Sequence, residues 1–328
     1  MRLEEEFQKY FSGRITKVDN LNHCGNNKLF SVTLPDGKYL LKLYSHRHMD
    51  CWNRGESEFK ALSFLNKKGF EEVPKAISFW MEDNAAVYSY AAGRNLDPFE
   101  IMPEYAIKAA DFLARLHSLS SEDKKLFGPA SSACLSLENY IEVIDRRLAF
   151  VSNPEADSTA TGFLEKKVKP RINELRDEFR RKTSGIDTKK TLPIEKQVLT
   201  PADFGFHNIL VSSQGYTFID FEYFGRDDPA RQILDFIHHD KSKGMGRNLK
   251  NIFWEAYTKN AKTDSEFMER IYLADPLVGM AWVLIFLNVL SKEYLEHLRF
   301  SREESRIPEI IKNRIKLAEV KLTQLRYF

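Results

Sequence analysis

The sequence has no excess of either charge. Lys plus Arg total 49 and Asp plus Glu 47 in 328 residues, a net charge of +2, so the balance gives no reason to expect nucleic acid as a partner. It is poor in cysteine. Cys24, Cys51 and Cys134 have no metal-ligand spacing and cannot all pair, which fits a reducing compartment. The start, Met1-Arg-Leu-Glu-Glu-Glu, is acidic and lacks the apolar core of a signal peptide. Together these features predict a cytoplasmic protein. The strongly apolar run from Pro276 to Leu290 is too short to cross a bilayer and predicts a buried helix, so no membrane partner is expected. There are no repeats and no low-complexity tracts. His46-x-His48 and His238-His239 are isolated pairs and read as solvated histidines rather than a metal site. The length is ample for a core and allows one or two domains.

What is present is a spacing. Asp203 and Asn208 lie five residues apart, and Asp220 follows twelve residues later at the end of an apolar run. Phosphoryl transfer from ATP needs one carboxylate facing the attacking hydroxyl. It also needs an amide oxygen and a second carboxylate to hold Mg²⁺ on the phosphates. The kinase catalytic loop places four residues between its Asp and Asn, as here.

Asp203-Phe204-Gly205 also spells the metal-binding triplet of protein kinases. That role would require an Asp-x4-Asn loop a few tens of residues upstream, and none exists. Asp157, Asp177 and Asp187 are followed five positions later by Gly162, Lys182 and Leu192. The self-consistent reading makes Asp203 the catalytic carboxylate, with Asn208 and Asp220 as metal ligands. A β-hairpin with surface acids is the other reading, because Asp and Asn are common in turns.

The N-terminal part supplies the remaining pieces. Residues 27–34 and 38–44 are β-rich runs joined by Pro35-Asp36-Gly37, a hairpin signal. Before them, Asn22-His-Cys-Gly25-Asn26-Asn27 is a turn of the kind that brings backbone N–H groups over phosphates, and Gly25 and Asn26 are its candidates; an ordinary turn fits it too. Lys42 stands inside the apolar strand Tyr39-Leu-Leu-Lys42-Leu-Tyr44. An unpaired ammonium there is costly, so it should have an anionic partner unless the strand is an edge and Lys42 points to water. A helix follows from Arg54 to Lys68, with Phe59, Leu62, Phe64 and Leu65 at roughly helical spacing. Glu58 is the preferred partner for Lys42, and Glu56 the reserve. Ile77 to Trp80 and Ala85 to Tyr90 predict a second hairpin. Beyond it Ala91-Ala92-Gly93 reads as a hinge, where adenine would bond to backbone at Ser89, Tyr90 and Ala91.

Lys42, Glu58, Tyr90-Ala-Ala-Gly93, Leu113-Ala-Arg-Leu-His117, Asp203-x4-Asn208 and Ile219-Asp220 together resemble the aminoglycoside phosphotransferase and choline kinase superfamily. The resemblance covers roughly residues 20 to 240. It implies an α+β, two-lobed protein-kinase-like fold, with a small antiparallel-sheet lobe carrying one helix and a larger, mostly α-helical lobe. It also implies an ATP- and Mg²⁺-dependent kinase of a small-molecule substrate. Two departures stand out. The family usually has His-Gly-Asp where this chain has Pro201-Ala202-Asp203. Phe221-Glu222-Tyr223 is similar to the run after the metal Asp of choline and ethanolamine kinases, but it is too short to carry over their substrate. Asp235 resembles the family's Asp in the following helix and is read as a support for the catalytic loop.

The expected division is a nucleotide-binding lobe over 1–91 and a catalytic and substrate-binding lobe over 92–328. Helices are expected over 103–118, 137–151, 162–181, 247–262, 264–296 and 303–325. From Asp220 the next helix, near Pro229, is about nine residues away, which leaves no room for a peptide-docking activation loop. For the acceptor, Glu222, Asp227 and Asp228 are candidates to recognise an amine. Trp254, Tyr257, Trp282 and Phe286 form either an aromatic wall or plain core. A sugar, amino alcohol or aminoglycoside-like acceptor is expected. A nucleotide-binding pseudokinase scaffold and a protein kinase are the alternatives.

Overall fold

The computed structural model describes residues 3–21, 27–45, 53–97, 99–152, 158–213, 215–242, 244–301 and 306–325. The N-terminal apolar runs become a five-stranded antiparallel sheet of Lys17–Asn20, Lys28–Leu34, Gly37–Leu43, Ala76–Trp80 and Ala85–Ser89. Its spatial order is first, second, third, fifth, fourth. Alternate residues of the second strand, Phe30, Val32 and Leu34, join Leu41, Val87 and Phe7 in one core cluster. Phe7 comes from a short helix, Leu3–Phe7. Lys17–Asn20 was not foreseen. Its four residues carry one apolar side chain, Val18, so alternation leaves no signal.

The third strand puts Leu41 on the core face and therefore Lys42 on the other. Against that second face lies the Arg54–Lys67 helix. Asn53 caps it, accepting the Glu56 N–H at 3.0 Å. Gly55 in its first turn permits close approach. A Cβ there would lie 2.7 Å from Asn84 Oδ1, 2.8 Å from the Tyr44 ring and 2.9 Å from the Phe79 ring. The helix is thereby held near enough for Glu58 to reach Lys42.

The chain forms two compact units, 1–101 with 201–225, and 102–200 with 226–328. The first unit therefore extends beyond the 1–91 stretch read from sequence. It adds a three-stranded sheet of Arg94–Asn95, Ile209–Ser212 and Gly215–Phe218. Gly93 makes the first pairing possible. Its φ is +140°, and a Cβ would sit 2.8 Å from the Val211 carbonyl oxygen.

The second unit is mostly helical. Its main helices are Pro103–His117, Leu137–Val151, Lys169–Lys182, Pro229–His238, Arg247–Asn260, Ser265–Phe286, Lys292–Ser301 and Ile307–Gln324. The expected 264–296 helix is divided, because Ser291 accepts the Tyr294 N–H at 3.2 Å and starts a new helix. By length and composition the Ser265–Leu290 stretch is able to cross a bilayer, contrary to the shorter run read from sequence. It is nevertheless a core element, with 89% of its most apolar window buried inside the protein.

His117 ends the first helix of this unit, with Nδ1 2.8 Å from the Tyr257 hydroxyl. Burial, aided by the Lys124 charge, pushes its pKa down to about 3. An unfolded histidine titrates near 6.5. The unfolded chain therefore binds the extra proton between those values. The stability tied to this group is full above about pH 6.5 and is lost as pH falls. From pH 8 to pH 5 the expected loss is on the order of 2 kcal/mol. Urea unfolding of the wild type and His117→Gln at both pH values checks this. The variant should lack that share of the acid sensitivity, and an identical pH dependence would refute it.

Candidate active site

Lys42 is 6% exposed and surrounded by carboxylates. Its Nζ lies 2.7 Å from Glu58 Oε2, 2.9 Å from Asp220 Oδ1 and 3.9 Å from Glu222 Oε2. Burial alone would lower its pKa. The Asp220, Glu58 and Glu222 charges outweigh that and hold it well above the usual lysine value. Glu58 is held from other directions as well. Oε2 accepts the Tyr44 hydroxyl at 2.7 Å, and Oε1 accepts the Phe221 N–H at 3.3 Å. Glu56, the reserve partner, is exposed.

Glu222 is also buried, which raises its pKa. It accepts from Asn27 Nδ2 at 2.8 Å and lies 3.6 Å from Arg54 Nη1. Asn27, Arg54 and Tyr44 were not singled out from sequence. Asn27 and Glu222 are 195 residues apart, and no local pattern announces such a bond. Three carboxylates thus gather around two cations, and the ligand atoms of Glu58, Asp220 and Glu222 lie within 4.8 Å of one another.

The loop from Pro201 to Asn208 is anchored by its aromatics. Phe204 is 2% exposed and stacks on Phe218 at 5.6 Å, and Phe206 is fully buried. Between these anchors the Asp203 side chain keeps 41% of its surface, with Oδ1 3.5 Å from His207 Nε2. Asn208 Nδ2 donates to the Asp203 carbonyl at 2.9 Å, which leaves the amide oxygen as the atom suited to a cation. The hairpin register Ile209↔Phe218 and a 2.9 Å bond from the Ile219 N–H to the Asn208 carbonyl bring Asn208 and Asp220 to the same end of one hairpin. Asp220 itself is in the left-handed region, φ +70°. Such strain occurs at functional sites. The strand lysine meets Asp220, while the phenylalanine of Asp203-Phe204-Gly205 fills the core.

All the described candidates, Lys42, Glu58, Ser89, Tyr90, Ala91, Asp203, Asn208 and Asp220, belong to the first unit. Gly25 and Asn26 lie outside the described residues. The Ser89 N–H donates to the Lys75 carbonyl at 2.9 Å, and its hydroxyl accepts the Lys75 N–H at 2.8 Å, so this N–H is already engaged in the fold.

The side chains considered for amine recognition serve the fold instead. Asp227 and Asp228 are fully buried, Asp227 against Arg231 at 2.9 Å and Asp228 against Arg270 and Tyr140, both at 2.7 Å. Tyr257, Trp282 and Phe286 are core residues, and Trp254 stacks on Phe267. Asp235 accepts from Trp282 Nε1 at 2.9 Å, a bond within the helical unit.

Ala202 has φ +65°, a conformation that costs an L-residue roughly 1–2 kcal/mol and glycine almost nothing. The resemblance places a glycine at this position. Ala202→Gly should therefore stabilise the protein by up to about 1 kcal/mol after glycine's entropy is counted. Denaturant unfolding measures it, and a destabilised variant would show that the Ala202 methyl contributes more than the strain removes.

The sequence profile of the phosphotransferase enzyme family matches residues 24–258, most of the chain. No curated protein matches the sequence significantly. Among solved structures, a choline/ethanolamine kinase family protein from Mesorhizobium loti aligns with a TM-score of 0.65 at 17% identity, covering 99% of both chains. A choline kinase from Streptococcus pneumoniae aligns at 0.63 and 16%, covering 98% of each. Spectinomycin phosphotransferase in complex with ADP and spectinomycin aligns at 0.63 and 13%, covering 97% of each. These likenesses establish the α+β, two-lobed protein-kinase-like fold. The profile match, over so much of the chain, shows that this protein belongs to the phosphotransferase enzyme family.

Proposed function

We propose that the protein is an ATP- and Mg²⁺-dependent kinase that phosphorylates a hydroxyl group of a small molecule. The observation that carries this reading is the set of bonds from Lys42 to Glu58 and to Asp220. It joins a strand lysine, a helix carboxylate and the acid that follows Asp203-x4-Asn208, the parts phosphoryl transfer requires. The solved relatives support it, one of them seen with ADP and spectinomycin and another a choline kinase.

In this reading Asp203, the exposed carboxylate of an anchored loop, orients the acceptor hydroxyl and takes its proton. Asn208 and Asp220 would hold Mg²⁺. An amide oxygen and a carboxylate are hard ligands suited to it, and the surplus of carboxylate over cation around Lys42 fits an added positive charge. When bound, Mg²⁺ supplies charge neutralisation on the phosphates. Lys42, oriented by Glu58, steadies the α- and β-phosphates. Tyr90 and Ala91 present backbone to the adenine, and Gly25 and Asn26 are the sequence's candidates for contact with the phosphates. Catalysis rests on positioning and electrostatics rather than covalent chemistry. The first unit, which holds all the described nucleotide and metal candidates, would bind the nucleotide.

The nine-residue step from Asp220 to Pro229 argues for a small acceptor over a peptide. With Trp282 and Phe286 in the core, nothing favours a quaternary ammonium over a sugar hydroxyl. The test is ADP release from MgATP over a panel of sugars, amino alcohols and aminoglycosides, with a generic protein substrate alongside. One small-molecule class should raise turnover at least about tenfold over background hydrolysis. ATP binding without turnover on any compound would make the protein a scaffold. Phosphate found only on protein would make it a protein kinase.

A further inference from the structure

The helical unit contains a cavity of about 470 Å³ that the phosphoryl-transfer reading does not use. All of its lining residues belong to this unit, among them His117, Lys124, Leu192, Tyr257, Phe267 and Arg270. The volume is that of a small-molecule site. Two of its polar groups are buried and under-satisfied. Lys124 is 5% exposed, and its ammonium makes one hydrogen bond, to the Glu195 carbonyl at 3.2 Å. Among the described residues no carboxylate comes within ion-pair distance of it. Burial lowers its pKa, and neighbouring Lys262 adds to that against the opposing pull of Glu195. His117 has Nδ1 engaged by Tyr257, while Nε2 is buried without a partner. With its pKa near 3 the ring is neutral, so it offers a hydrogen bond rather than a charge.

Arg270 and Lys196 are already matched within the lining. Arg270 Nε donates to Asp228 at 2.7 Å. At the rim Lys196 pairs with Asp264 at 3.4 Å and with Glu266. Of the lining charges outside those pairs, Glu195 and Lys262 are exposed and Lys124 is the buried one. Leu192, Phe267 and the Tyr257 ring supply apolar wall, while Ser118, Ser120, Gln197 and Asn260 add polar groups. A buried ammonium without a counter-ion destabilises a fold unless something else completes it.

We propose that this cavity binds a small organic anion, with a carboxylate or phosphate group on Lys124 and an apolar body against Leu192, Tyr257 and Phe267. The imidazole of His117 supplies a second hydrogen bond to the head group. This assignment is independent of the kinase reading, because no residue of the first unit lines the cavity.

Phenyl phosphate and phenylacetate are suitable probes, with benzyl alcohol as the neutral control, each titrated calorimetrically into the full chain. At least one anion should bind at one site per chain, and the tighter of the two identifies the head group. Benzyl alcohol should bind at least about tenfold more weakly, the scale of a charge-assisted hydrogen bond. Lys124→Met should weaken the anion by a similar factor. It should also raise the melting temperature of the ligand-free protein, since a buried unpaired charge is removed. Ala261→Trp, which fills the cavity from an extended position after the Arg247–Asn260 helix, should abolish binding. Saturating ADP with Mg²⁺ should not displace the probe. The proposal is overturned if neither anion binds below about 10 mM. Binding untouched by either variant, or displaced by ADP, would overturn it equally. If Lys124→Met does not fold, Ala261→Trp decides, and a crystal structure of the wild-type complex showing the anion away from Lys124 would end the matter.

Discussion

Asp203→Asn is expected to lower turnover by about two orders of magnitude or more, the scale of losing a general base. Nucleotide affinity should stay within a few-fold. The geometry explains why the effects separate. The loop is held through backbone and aromatic contacts: the Asp203 N–H donates to the Pro201 carbonyl at 2.9 Å, and its own carbonyl accepts from Asn208. Phe204 and Phe206 anchor it in the core. None of these uses the Asp203 carboxylate, and the asparagine oxygen can keep the place of Oδ1 3.5 Å from His207 Nε2, so the variant should keep the loop and lose the proton acceptor. Single-turnover kinetics with the best acceptor from the panel, alongside ATP titration, gives both numbers. Near-normal turnover would mean that another group takes the proton.

Lys42→Met is the second large effect, and it reaches both stability and chemistry. Methionine keeps the stem of the lysine but removes the cation shared by Glu58, Asp220 and Glu222. The Glu58 and Glu222 side chains are each only 5% exposed, so they cannot recover the loss from water. Breaking a buried pair from one side costs about 3–5 kcal/mol. Arg54 still faces Glu222, so the lower end of that range is expected for the first unit. ATP binding and turnover should both collapse, because the charge on the α/β-phosphates is gone. Adding Glu58→Gln to Lys42→Met should recover part of the stability and none of the activity. Glu58→Ala alone should be milder, since Lys42 retains Asp220 and Glu222. Glu56→Ala, at an exposed position, should be nearly silent. Urea unfolding and ATP titration of these variants check the whole set. Wild-type stability in Lys42→Met would show that the buried carboxylates are protonated rather than paired.

The parts of this protein that were legible in the sequence are those whose signal is local. The hairpin of Lys28–Leu34 and Gly37–Leu43, the Arg54–Lys67 helix and most helices of the second unit follow from apolar periodicity and turn residues. The Asp203, Asn208 and Asp220 spacing was legible because Asn208 and Asp220 flank one hairpin, whose register ties sequence distance to spatial distance, and a short loop joins Asp203 to Asn208. Where no periodicity existed the reading failed, as at the polar edge strand Lys17–Asn20. Composition also misled where it could not show pairing. Asp227, Asp228 and Glu222 read as candidates to recognise an amine, yet all three are buried and take Arg231, Arg270, Asn27 and Arg54 as partners.

Sequence alone therefore determined most of the secondary structure and offered the kinase-like set of groups, with Asp203 rather than Asp220 proposed as the carboxylate toward the acceptor, since each depends on neighbours a few residues away. Tertiary structure decided which carboxylates surround Lys42, that Ala202 occupies a left-handed turn, and that Lys124 faces a cavity without a counter-ion. Those outcomes depend on burial and on charges brought together from distant parts of the chain. The cost of removing a charge from water, and the partner that offsets it, are set only once the chain has folded.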